Sequence, residues 1–111
     1  MSLDRSDILS FLFEMEMPRV GYGISKKDPG HALSKAIRLL SSNGLPLHKA
    51  RNVICLFRIL PNTYIEEIND ALDLLEEKMH READLLWTTA FSKTSDKTGE
   101  IKVLLMAGNF L

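Results

Sequence analysis

The stretch Asn52-Val53-Ile54-Cys55-Leu56-Phe57-Arg58-Ile59 is apolar on nearly both of its alternating faces. A strand that must hide both faces belongs inside a sheet rather than at its rim. Pro61-Asn62 stops it. Upstream, Asp28-Pro29 supplies an N-cap followed by proline at the first helical position. The helix it opens, Gly30 to Leu40, carries Leu33, Ala36, Ile37 and Leu40 on one stripe, and Asn43-Gly44 ends it. Downstream, Thr63-Tyr64-Ile65-Glu66 has capping-box spacing, with Thr63 bonding forward and Glu66 reaching back. The third helix is expected to run to about Arg81. Ile65, Ile68, Leu72, Leu75 and Met79 form its buried seam. Glu66, Glu67, Asp70, Asp73, Glu76 and Glu77 make its outer face acidic, either a solvated surface or an electrostatic partner surface.

Further out, Leu85 to Ser92 and Glu100 to Ala107 read as two more strands. They are joined by the turn-rich, hairpin-length connection Ser95-Asp96-Lys97-Thr98-Gly99. Arg19 to Ser25 alternates Val20, Tyr22 and Ile24 with Gly21 and Gly23, a short strand with one bare face that lets something pack against its backbone. The first helix is expected from Ser6 to Glu16, with Ile8, Leu9, Leu12 and Phe13 on one stripe and Pro18 forbidding continuation. Phe11, Met15 and Met17 widen its apolar surface, so it is expected to be covered on more than one side. The order is helix, strand, helix, strand, helix, strand, strand. That order predicts an α+β fold: a mixed four-stranded sheet, the second and third helices on one face, and the first helix as an N-terminal connecting element. Residues 1–111 form a single domain, with Met1-Ser2-Leu3 read as an added leader.

At 111 residues, with 45% hydrophobic and 26% charged residues, the composition is that of an ordinary globular domain. A formal charge of −1, with no basic run, argues against a nucleic-acid or anionic-membrane surface. One cysteine, Cys55, cannot form an internal disulfide, and an intracellular, reducing compartment is expected. No apolar stretch approaches the roughly 18 residues that span a bilayer, and the N-terminus does not read as a signal peptide.

Asp4 and Asp7 stand at the mouth of the first helix, three residues apart and therefore on one face. Two readings are open. They are an N-cap and a first-turn acid, favoured there by the helix dipole. Alternatively, they orient and polarise a water as a catalytic pair. His31, His48 and His80 lack metal-ligand spacing. Cys55 reads as an inert core thiol and Trp87 as a packing aromatic. Gly21-Tyr22-Gly23 lacks the third glycine and the following helix start of a phosphate loop.

Taken together, these segments resemble the C-terminal domain of FtsZ, the tubulin-like cell-division GTPase, from Asp4 to Phe110. Asp4-Arg5-Ser6-Asp7 is similar to the end of that family's Asn-x-Asp-x-x-Asp loop, and Val20-Gly21-Tyr22-Gly23-Ile24-Ser25 to its Gly-x-Gly strand. Leu47-His48-Lys49-Ala50-Arg51-Asn52-Val53 and Ile65-Glu66-Glu67-Ile68-Asn69-Asp70-Ala71 resemble its Leu-x-x-Ala-Arg-x-Val passage and its Leu-x-Glu-Ile-Asn-x-Ala helix. Ala107-Gly108-Asn109-Phe110 stands where the family has its Thr-Gly-Phe end. The chain departs from the pattern at Ser2, where the loop asparagine would fall, at Arg58-Ile59-Leu60-Pro61 and at Leu86-Trp87-Thr88-Thr89, where glycines are usual. The resemblance is to a divergent member or paralogue.

The resemblance implies a cytoplasmic protein that self-associates into filaments at the septum, without contacting nucleic acid or membrane directly. It implies that this domain binds no cofactor itself. GTP, with Mg, belongs to the N-terminal domain of the full-length protein. Asp4 and Asp7 would complete the GTP site of the neighbouring subunit, so the domain would be inactive alone and part of a GTPase in trans. The alternatives are a stand-alone α+β regulatory or small-molecule-binding module with the glycine-bearing strand as its ligand edge, and a small enzyme using Asp4 and Asp7 as an acid/base pair.

Overall fold

The computed structural model describes residues 5–43, 46–92 and 99–110. Its elements run α1 (Arg5–Glu14), β1 (Arg19–Ser25), α2 (Pro29–Leu40), β2 (Ala50–Ile59), α3 (Ile65–Lys78), β3 (Asp84–Phe91) and β4 (Ile101–Phe110). The sheet order is β1-β4-β2-β3. β4 is antiparallel to both β1 and β2, while β3 is parallel to β2, so the sheet is mixed, as expected. β2 is an inner strand, and Val53, Ile54 and Cys55 are all fully buried.

One face of the sheet carries the core. Val53, Cys55 and Phe57 of β2 and Val103, Leu105 and Ala107 of β4 join Ala32, Leu33, Ala36 and Leu40 of α2 in one cluster. Ile68, Ala71, Leu72 and Leu75 of α3 complete it. Each fully buried leucine there contributes about 1.5–3 kcal/mol relative to exposure. The fit of α2 against β1 depends on the two glycines. A Cβ at Gly21 would collide with the Ala36 carbonyl and one at Gly23 with the Ala32 carbonyl, so helix backbone lies directly on strand backbone. At its entrance, the Asp28 carboxylate accepts from the His31 backbone N–H at 2.7 Å.

The structure differs from the expectation at several ends. β3 and β4 do not pair as a hairpin, because β2 lies between them; the hydrophobic strand takes the central place and separates them. The turn residues 95–98 lie outside the described residues, as do Met1-Ser2-Leu3 and Gly44. The cap of α3 is one residue later than expected. The Tyr64 N–H donates to the Glu67 carboxylate at 3.2 Å. Thr63 Oγ1 instead accepts from the Leu60 N–H at 3.1 Å, closing the preceding turn. α3 ends at Lys78, and Ile65, expected in the seam, is 71% exposed on its first turn, short of the cluster. α1 ends at Glu14, and part of its apolar stripe faces outward: Leu9 is 43% and Phe13 86% exposed.

Candidate functional site

Asp7 lies in the first turn of α1, while Asp4 falls outside the described residues. Phe11 and Leu12 of α1 are partly buried and Met15, just beyond its end, is buried, and the described hydrogen bonds that tie this region to the sheet lie at residues 14–16. There the chain turns sharply. Met15 donates its N–H to the Leu12 carbonyl at 3.1 Å and buries its side chain over Gly108, where an added Cβ would approach within 3.1 Å. Met17 takes a left-handed conformation at φ 49° before Pro18, and Asn109 takes another at φ 57°. Asparagine tolerates that region because its short amide bonds locally.

Asn109 is the hub of this junction. Its backbone N–H donates to the Glu16 carbonyl at 3.1 Å, and its Oδ1 accepts the Glu16 N–H at 2.7 Å. Its Nδ2 donates to Asn52 Oδ1 on β2 at 2.8 Å and makes a longer contact of 3.5 Å with the Glu14 carbonyl. α1 thus has Asp7 in its first turn and the Glu16–Asn109–Asn52 bonds just beyond its last. The sequence reading missed Asn109 and Asn52. The available signal was Gly108-Asn109, a pair rich in left-handed conformers.

The second face of the sheet is open only in part: Met15, just past the end of α1, lies over Gly108 there, and Ile54 is fully buried. Val20 and Tyr22 of β1 stand in register with Met106 and Leu104 of β4, which face Ile54 and Leu56 of β2. Val20 and Tyr22 are 53% and 44% exposed. Tyr22, Leu56, Leu104, Lys102, Arg58 and Ala90 line a hollow of about 440 Å³ there. The opposite face of β1, with Gly21 and Gly23, is occupied by α2, the close packing expected of that bare face, and the ligand edge of the alternative reading is covered there.

The described residues do not fit a nucleoside triphosphate with its magnesium. The glycines are covered, the N-terminus of α2 is capped by the Asp28 carboxylate, and α3 opens with Glu66 and Glu67. No group of three His, Cys, Asp or Glu side chains among the described residues could hold a metal ion. His31 Nδ1 is paired with Ser25 Oγ at 2.9 Å, and His80 Nδ1 accepts the Glu82 N–H at 3.1 Å. Cys55 is wholly buried, and burial pushes its thiol pKa far up, which makes it inert. Trp87, half-buried, packs against the core. No described helix is long and apolar enough to cross a membrane.

Comparison with solved structures shows where this fold recurs. An FtsZ dimer from M. jannaschii superposes with a TM-score of 0.79 at 16% identity, over 98% of this chain and 32% of that one. A mutant of M. jannaschii FtsZ gives a TM-score of 0.81 at 15% identity, over 99% and 33%. The fold is that of an FtsZ C-terminal-like domain. A GDP-form protofilament structure of TubZ from Bacillus thuringiensis serovar israelensis follows at a TM-score of 0.65 and 12% identity, over 84% and 25%. The chain spans about a third of the length of the FtsZ chains it matches. No protein-family profile matches the sequence, and no curated protein does.

Proposed function

We propose that this chain is the assembly domain of an FtsZ-like polymerising GTPase, and that Asp4 and Asp7 complete the GTP site of the neighbouring subunit. The observation that carries this reading is the likeness of fold to FtsZ over nearly the whole chain. The place of Asp7 in the first turn of α1 supports it. GTP, held with magnesium by the neighbour, supplies the γ-phosphate. Asp4 and Asp7 accept hydrogen bonds from the attacking water, orient it in line and polarise it. In phosphoryl transfer, positioning and charge supply most of the catalysis. The N-terminal end of α1 suits these acids, because its dipole favours negative charge. In this reading the protein works in the cytoplasm, as a filament at the septum.

The test is to add this chain to the longer protein with GTP and follow light scattering. The chain presents the acidic face and no nucleotide face, so it caps filaments on one side. Polymer is expected to fall as the chain is added, and to recover when Asp4 and Asp7 are both changed to alanine. Unchanged polymer at a large excess of chain contradicts the reading. So does micromolar affinity of this chain alone for GTP by titration calorimetry.

A further inference from the structure

We infer that Asn109 is a positioning residue that fixes the direction of α1, and through it the placement of Asp7. The inference rests on the function proposed above and adds to it a residue that does not touch the reacting atoms. Three observations lead to it. α1 ends at Glu14, and the described hydrogen bonds that tie it to the sheet lie at that end, at residues 14 and 16. At that end Asn109 receives the Glu16 N–H at 2.7 Å and returns its own backbone N–H to the Glu16 carbonyl at 3.1 Å. The same amide donates to Asn52 Oδ1 at 2.8 Å, which ties the junction to an inner strand of the sheet.

The geometry explains why an asparagine stands there. The position requires φ near 57°, which glycine or asparagine adopts at little cost. Glycine would keep the backbone bond to Glu16 but leave the Glu16 N–H and the Asn52 amide without their partner. Asparagine supplies an acceptor on one side and donors on the other, so the connector between α1 and β1 is held from both directions. Met15 over Gly108 adds a hydrophobic contact on the same hinge. A change of direction where α1 ends at Glu14 is carried along the helix to Asp7, seven residues or roughly 10 Å away along the axis.

Asn109→Gly separates this role from plain stability, because it retains the left-handed backbone and removes only the side chain. In this chain, amide exchange at residues 9–14 is expected to quicken about tenfold, with the amides of β2 unchanged. In the longer protein, turnover per bound nucleotide is expected to fall about tenfold while GTP affinity holds. Asn109→Asp keeps the acceptor for Glu16 and loses the donors, and is expected to restore part of both losses. Unchanged exchange in α1, or equal acceleration throughout the domain, overturns the inference. If α1 loosens and turnover holds while Asp7→Ala abolishes it, the inference fails and the proposed function stands. If turnover survives Asp7→Ala as well, the proposed function fails with it.

Discussion

α1 and α2 are close in length, and each carries apolar residues at helical spacing, yet they end in opposite situations. α2 sits on strand backbone bared by Gly21 and Gly23, with Ala32, Leu33 and Ala36 fully buried and Leu40 nearly so. α1 leaves Phe13 86% exposed and is anchored at its end by Met15 and Asn109. The difference shows that an apolar stripe selects a helix but does not provide its partner. A surface of matching shape provides it, and the bared backbone of β1 gives α2 a close one.

The largest expected effect concerns the body of the domain. Cys55 lies in its centre, so labelling by a thiol reagent should proceed only through unfolding, slower by about a thousandfold or more than in denaturant. Labelling at the rate of a free thiol would show that the body opens. The raised thiol pKa also gives stability a sign. Above about pH 9.0, the ordinary value for the thiol, the unfolded chain loses a proton that the folded one keeps, so stability falls as pH rises. Next comes Gly23→Ala, whose methyl would collide with the Ala32 carbonyl. A loss of about 3 kcal/mol or more is expected in urea unfolding, since two backbones must separate. A midpoint left unchanged would mean that α2 does not rest on the strand.

Leu72→Ala should cost about 2–3 kcal/mol in the same assay, the lower part of the usual range because Leu72 sits at the rim of the cluster. The smallest effect belongs to the other helix: Phe13→Ser should change stability by no more than about 0.5 kcal/mol. A cost near that of Leu72→Ala would place Phe13 inside a core, and the contrast between the two helices would collapse.

Much of the body was legible from the chain, for reasons that reduce to periodicity and backbone freedom. The two-faced apolarity of residues 52–59 marks an inner strand, Asp28-Pro29 marks a helix start, and Gly21 with Gly23 marks a close approach. What escaped depends on distant partners. Ile65 has the spacing of a seam residue but lies on a first turn that overhangs the cluster. The capping role falls to Tyr64 and Glu67 because Thr63 is engaged by Leu60. The separation of β3 from β4 follows from which strand claims the centre, and a short connection does not reveal that. At the candidate site, the sequence offers Asp4 and Asp7 as a pair by their spacing, and of the two only Asp7 falls within the described residues. The bond between Asn52 and Asn109 was not legible, because the two lie 57 residues apart and meet only in the folded sheet.

The most direct test of the account is Asp7→Ala in the longer protein, with GTP affinity measured by titration and turnover measured in the polymerised state. The account predicts that affinity is retained and turnover abolished, because Asp7 acts on a nucleotide that a neighbouring subunit holds. Lost affinity, or turnover that survives the substitution, would contradict it.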